Sequence, residues 1–261
     1  MSNARKLFAV AVLVALAWPV VPVAEAQPPI RIGASLSQTG LYAAPGQNQL
    51  RGYQLCVKHV NDKGGVLGRK LELVLYDDGS DPTTAVRLYE RLITQDKVDL
   101  VLGPYTTSIT EAVASVTEKY RMPLLAPTAG TSSIYRKGRR FLFMVGVPAE
   151  VHLEGLIDLA AKKGLKTVAL INGDELYLRT TTQATIELAK KKGLQVVFVD
   201  AYPEGNTDFS TILAKVRAAN PDVLGGATRF EDAVAITRQM KALNVNPKMT
   251  GLTVGVDLPK F

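Results

Sequence analysis

The chain has 261 residues, 47% of them hydrophobic and 21% charged, a composition ordinary for a soluble globular protein of one or two domains. Its formal net charge of +7 is dispersed, with "KKGLK" (162–166) and "KKK" (190–192) falling at expected helix ends, where cations complement the negative end of the helix dipole. Basic residues do not form a stripe interleaved with aromatics, which argues against a nucleic acid partner.

The N-terminus reads as a targeting segment. Arg5 and Lys6 precede an apolar stretch from Leu7 to Ala17, and Ala24-Glu25-Ala26 supplies an A-x-A cleavage signal. The uncharged run from Leu7 to Ala24 also reaches the lower edge of a membrane span, but Pro19 and Pro22 break it. The expectation is a signal peptide over 1–26, cleaved near Ala26-Gln27, and a periplasmic mature protein.

Beyond Gln27, short apolar runs alternate with amphipathic stretches. Strands are expected at 30–36, 71–76, 98–103, 123–127, 141–146, 167–172, 194–200, 222–226 and 249–253. Helices are expected between most of them, at 46–62, 83–96, 107–120, 149–163, 177–192, 209–219 and 230–243. Strand–helix alternation predicts an α/β protein with mostly parallel sheets covered by helices on both faces, and the near-continuous apolar runs fit strands buried on both sides. Gly64-Gly65, Gly68, Gly164 and Gly193 mark helix ends, Asp81-Pro82 a helix start, and Asp208 a later cap. The pattern runs twice, joined at "VGVPAE" (145–150), which predicts two similar doubly wound lobes, 27–145 and 146–261. The sequence stops a few residues after a strand-like segment, so the second lobe is expected to be incomplete, with part of a sheet face bare. Cys56, the single cysteine, lies among Leu50, Tyr53, Val57 and Val60 at helical spacing and reads as a buried structural thiol.

In open α/β sheets ligands bind outside the carboxyl ends of strands, near topological switch points. The expected strand ends are rich in small and hydroxyl residues, as in "GPYTTS" (103–108) and "APTAGTSS" (126–133). A helix start offers free N–H groups and positive potential, and Thr or Ser hydroxyls add rotatable donors, so "YTTS" can hold a carboxylate without a formal charge. Plain helix capping uses the same residues.

Signatures of catalysis are missing: the sequence has no G-x-S-x-G, G-x-x-x-x-G-K-[ST], H-E-x-x-H or C-x-x-C. "GGVLG" (64–68) does not open a helix after a strand, so it is no dinucleotide loop. His59 and His152 fall within expected helices and read as packed or surface residues. "YDDGSD" (76–81) bunches three carboxylates but lacks the downstream Glu of an EF-hand loop, and reads as a polar turn. The expectation is a protein without catalytic residues, cofactor or metal.

These segments together resemble the periplasmic branched-chain amino-acid-binding (Leu/Ile/Val-binding) family of ABC-importer substrate-binding proteins. The resemblance is carried by "IRIGASLSQTGLYAAPGQNQLRGYQL", "VNDKGGVLGRKLELVLYDDGSDPTTAV", "VDLVLGPYTTSIT", "MPLLAPTAGTSS" and "DFSTILAKVRAANPDVL", and spans 30–257. It implies a type I periplasmic-binding fold whose two lobes close on a small carboxylate, working as a monomer with an inner-membrane ABC permease. The first-lobe pocket residues it implies are Tyr105, Thr106, Thr107, Thr128, Ala129, Gly130 and Thr131, with Thr107 and the 128–131 loop as carboxylate clamp. The second lobe would add Tyr177, packing on the ligand. Ala227 and Thr253 stand where other members place an aromatic and an acidic residue, which leaves Asp174 or Glu175 to hold an α-ammonium. Arg229 reads either as a solvated helix residue or as the partner of a second anionic or phenolic group. The ligand is thus a branched-chain amino acid or an aromatic or aliphatic acid. A ligand-sensing domain of the same fold, reporting to a receptor, is the alternative.

Overall fold

The computed structural model describes residues 27–256, so the signal-peptide reading of 1–26 lies outside it. Among the described residues no helix is long and apolar enough to cross a membrane.

In the first lobe, strand β1 (Ile30–Leu36) leads through helix α1 (Ala43–Asp62) to β2 (Leu71–Asp77). Helix α2 (Pro82–Thr94), β3 (Leu100–Leu102), α3 (Thr107–Lys119), β4 (Leu124–Ala126) and β5 (Leu142–Met144) follow. The second lobe comprises α4 (Glu154–Lys162), β6 (Thr167–Gly173), α5 (Leu176–Lys191), β7 (Gln195–Tyr202), α6 (Ser210–Ala219), β8 (Val223–Ala227), α7 (Phe230–Ala242) and β9 (Met249–Leu252). Every strand pair is parallel, in the orders β2-β1-β3-β4-β5 and β7-β6-β8-β9. Both sheets reverse winding direction beside their first strand, so the crevices lie at the carboxyl ends of β1 and β3 and of β6 and β8.

Local chemistry sets the boundaries. Asp81 caps α2 by accepting from the Thr84 N–H at 2.7 Å, with Pro82 in the first turn. Gly65 turns the chain after α1 at φ +87°, and a Cβ there would lie 1.9 Å from the Arg69 carbonyl oxygen. The helix expected over 149–163 is split: Ala149–Val151 is a 3-10 turn and α4 begins at Glu154. The Ala149 carbonyl, which an α-helix would give to Leu153, accepts instead from the His152 N–H at 3.3 Å and the Thr181 hydroxyl at 3.0 Å.

Two-sided burial holds for β8 throughout and for most of β1 and β6, whereas the edge strands β2, β7 and β9 are only partly buried. The first-lobe core gathers Tyr89, Leu92, Val101, Ile109, Val113 and Leu124 between α2, α3 and the sheet. In the second lobe Ile171, Phe209, Leu213, Val216 and Ile236 fill one face of the sheet, and Ile157, Val168 and Leu170 the other. Leu125 and its register partner Phe143 are exposed, as are Val145 and Val147.

The reading of Cys56 as a buried thiol is corrected: it is exposed. Helix α1 buries only Gly46 and Tyr53, so its apolar stripe is narrower than the sequence suggests. Its start is pressed onto the end of β1, where a Cβ on Gly46 would lie 2.0 Å from the Ser37 carbonyl oxygen.

Candidate functional site

The first lobe's crevice is built on a knot of hydrogen bonds. The Asp78 carboxylate, 1% exposed, accepts from the hydroxyls of Ser35 at 2.8 Å and Ser37 at 2.7 Å and from the Ser80 N–H at 3.0 Å. Asp77 accepts from the Gln38 N–H and the Thr39 hydroxyl, at 2.9 and 2.8 Å. The "YDDGSD" segment therefore buttresses the loop between β1 and α1. Across the crevice, Gln49 and Tyr53 of α1 both donate to the Gly103 carbonyl, at 2.9 and 2.8 Å, and the Thr128 hydroxyl lies 3.0 Å from Gln49 Oε1 and 3.2 Å from the Pro104 carbonyl.

The hydroxyls expected to clamp a carboxylate divide into two sets. Thr106 is a helix cap, accepting from the Ile109 N–H at 3.3 Å. It does so at φ +70°, a conformation a β-branched residue adopts only where the surroundings impose it. Thr128 is tied to the scaffold as above, and the Thr253 hydroxyl both accepts from the Thr228 N–H at 2.9 Å and donates to the Thr228 carbonyl at 3.0 Å. Thr107 and Thr131 differ. Both are fully buried, and neither hydroxyl has a hydrogen-bond partner among the described residues. Buried polar groups are ordinarily paired, and these two hydroxyls stand at the starts of α3 and of the Ser132–Ile134 turn; those of Thr182 and Thr228 in the second lobe are in the same condition. Ala129 and Gly130 complete the loop: the Ala129 carbonyl accepts from Tyr135, and the Gly130 carbonyl from the Ala149 N–H at 2.8 Å.

The second lobe meets this loop through Tyr177, whose ring would lie 3.1 Å from a Cβ on Gly130. Burial raises the Tyr177 hydroxyl above its ordinary pKa, and the hydroxyl is hydrogen-bonded to His152 Nδ1 at 2.5 Å. His152 is accordingly a packed residue that positions the Tyr177 ring.

Arg229 is no solvated helix residue. Its side chain is 17% exposed, its Nη2 donates to Glu175 Oε2 at 2.7 Å, and its Nη1 donates across the lobes to the Tyr105 hydroxyl at 3.1 Å. The guanidinium lies 5.3 Å from the ring centre of Tyr177, 5.5 Å from that of Tyr105 and 5.8 Å from that of Tyr42. Two further bonds join the lobes: Tyr42 donates to Glu204 at 2.8 Å, and Ser108 to Glu175 at 3.2 Å. Of the two acids considered for an ammonium, Asp174 is exposed and paired with Arg179, while Glu175 is buried and engaged by Arg229.

A cavity of about 510 Å³ opens between the lobes, with Tyr42, Asn48, Tyr105, Leu178, Glu204 and Arg229 in its wall. Of the residues singled out from sequence, Tyr105 and Arg229 line it directly. Tyr42, Gln49 and Glu204 were missed; Tyr42 stands in the strand-end segment "SLSQTGLYAAPG", but nothing local says that its hydroxyl reaches a residue 162 positions away.

The sequence pattern of the family described as periplasmic binding protein matches residues 29–260. The Leu/Ile/Val-binding protein of Escherichia coli (strain K12) is 25% identical over 239 residues, 91% of this chain and 64% of that protein. The branched-chain amino acid transporter substrate binding protein LivJ of Streptococcus pneumoniae, solved with isoleucine, superposes with a TM-score of 0.75 at 25% identity over 85% of this chain and 63% of that one. A solute binding protein of an ABC transporter from Rhodopseudomonas palustris BisB5, solved with 3,4-dihydroxy benzoic acid, gives a TM-score of 0.77 at 23% identity over 88% and 62%. The chain thus spans under two thirds of the length of each, and its α/β architecture is that of type I periplasmic binding proteins.

Proposed function

The chain belongs to the periplasmic binding protein family, and from that premise we propose that it captures a small carboxylate between its lobes, 27–145 and 146–261, and delivers it to an inner-membrane ABC permease. The leader-like segment 1–26 supports export to the periplasm, and the reading is of a monomeric carrier that binds without catalysing. The observation that carries it is the pair of buried hydroxyls of Thr107 and Thr131, without a partner among the described residues, at the carboxyl ends of adjacent strands β3 and β4. Together with the free N–H groups at the start of α3, they make a neutral anion clamp on the first lobe. Tyr177 and Arg229 close over it from the second. Because only the closed form touches the ligand with both lobes, binding shifts an open–closed equilibrium, and the Tyr42–Glu204, Tyr105–Arg229 and Ser108–Glu175 bonds stabilise the closed side.

A thermal-shift screen of protein unfolded and refolded to remove carried ligand tests this reading. Branched-chain amino acids, aromatic acids and short aliphatic acids form the panel. A true ligand at a hundred times its Kd adds about 2.7 kcal/mol to native stability, which raises Tm by roughly 5–10 °C. A cooperative melt that no carboxylate moves would refute the proposal.

A further inference from the structure

We propose that the cavity between the lobes is a site for an organic cation, an alkylammonium group on a short apolar stem, with Asp232 as its principal acceptor. The inference goes beyond the carboxylate reading, because the clamp residues Thr107, Thr131 and Tyr177 do not line this cavity. The cleft then has two compartments, with the Tyr105–Arg229 bond in the wall of the second.

The charge of the wall comes first. Among the described residues that line the cavity, Arg229 is the only basic one, and its guanidinium is matched by the buried Glu175, 2.7 Å from Nη2. Asp232, Glu204 and Glu231 line the cavity as well, and among the described residues no basic side chain forms an ion pair with any of them. The wall therefore carries an excess of negative charge, and a concave surface of one sign concentrates ions of the other.

Asp232 turns that balance into a point of contact. The residue is 9% exposed, and its Oδ2 accepts from the Tyr202 hydroxyl at 3.0 Å and from the Arg229 N–H at 3.1 Å, the latter capping α7. Its Oδ1 accepts no hydrogen bond among the described residues. Burial holds the carboxyl above its ordinary range in spite of the two bonds at Oδ2, so the ionised form is under-compensated where it stands. An ammonium at Oδ1 supplies that compensation through charge-assisted hydrogen bonds, which are stronger than neutral ones. Glu204 and Glu231 are exposed, which places them where the cavity meets solvent, able to steer a cation inward or to hold a second ammonium.

Size and lining define the stem. The volume of about 510 Å³ lies within the roughly 300–1,000 Å³ usual for small-molecule sites. Leu41, Pro45, Leu178 and Val254 share the wall with the acids, so a chain of methylenes gains apolar burial while its charged end meets Asp232. Leu41 and Pro45 belong to the first lobe, Leu178 and Val254 to the second, so an occupant touches both lobes and favours the closed arrangement.

The test is titration calorimetry on the full chain, refolded free of ligand, at neutral pH with pentylamine, 1,5-diaminopentane, pentan-1-ol and pentanoate. Pentylamine and pentan-1-ol share one stem and differ in charge. Pentylamine is expected to bind at least about tenfold tighter than pentan-1-ol, and the diamine tighter still. Asp232→Asn keeps an oxygen to cap α7; it is expected to weaken both amines by about tenfold and to leave the Kd of pentanoate within about twofold. Pentylamine that binds no tighter than pentan-1-ol overturns the inference and leaves the carboxylate reading intact. A folded Asp232→Asn with unchanged amine affinity overturns the assignment to Asp232. Pentanoate that displaces pentylamine one for one, or that loses as much affinity in Asp232→Asn, overturns the second compartment. Should that variant not fold, the pentylamine–pentanol comparison and the competition with pentanoate on the wild-type protein decide. Amine binding of the expected order without any binding of pentanoate supports the inference and counts against the carboxylate reading alone.

Discussion

Thr107 lends itself to a substitution with opposite effects on stability and binding. Its hydroxyl is fully buried with no partner among the described residues, so the ligand-free protein carries the desolvation cost of a polar group with nothing in return. Thr107→Val keeps the β-branched shape at the start of α3 and removes only that cost, about 1–3 kcal/mol. A chain of this size gains roughly 2–4 °C in Tm per kcal/mol, so the ligand-free variant should melt roughly 2–12 °C higher. If Thr107 donates to a carboxylate in the complex, the same change removes a hydrogen bond to a charged group, about 1.5–3 kcal/mol, or roughly 10- to 150-fold in Kd. Thr110→Val is the control: that hydroxyl is equally buried but donates to the Thr106 carbonyl at 2.7 Å, so its loss should lower Tm, by about 0.5–1.5 kcal/mol of stability. Differential scanning calorimetry of ligand-free protein and titration calorimetry with the best ligand measure both quantities. A Tm that falls as far in Thr107→Val as in Thr110→Val, or an unchanged Kd, would refute the reasoning.

Two further outcomes follow from the scaffold. Asp78→Ala removes the acceptor of two buried serine hydroxyls and the Ser80 N–H, and should cost about 3–4 kcal/mol in urea denaturation, with Asp78→Asn intermediate; a loss below about 1 kcal/mol would show that the knot is not structural. Burial holds His152 below its ordinary value of 6.5, against the pull of Glu150. As pH falls the unfolded chain takes up the proton first, so stability is full above 6.5 and declines as pH drops through it. The slope of Tm against pH between about 7.5 and 5.5 should therefore flatten in His152→Gln, and equal slopes would remove His152 as the cause.

Much of the architecture was legible because burial writes itself into local pattern. Strands such as "TVALIN" are covered on both faces and have to be apolar throughout, and β6 (Thr167–Gly173) forms where that run stands. Asp81-Pro82 announces the start of α2 because its chemistry is confined to the first turn. Helix α1 shows the limit: Leu50, Tyr53, Cys56, Val57 and Val60 share a helical stripe, yet only Tyr53 of them is buried. Periodicity reveals that a face is apolar, and only the packed neighbours decide how much of it is covered.

The candidate site divides the same way. Sequence order by itself placed Thr107, Thr131, Tyr177 and Arg229 at the ends of strands or the starts of helices, and with them the general position of a cleft. It could not separate the hydroxyl that caps a helix, Thr106, from the neighbour left without a partner, Thr107, because both roles favour the same residue types. Nor could it reveal that Arg229 crosses to Tyr105, 124 positions away, or that Glu175 is engaged by that arginine. Local propensity and patterning act over a few residues and determine the elements; the charge balance of the cleft is set by side chains that meet only when two separately wound sheets face each other, and that was decided by the tertiary structure alone.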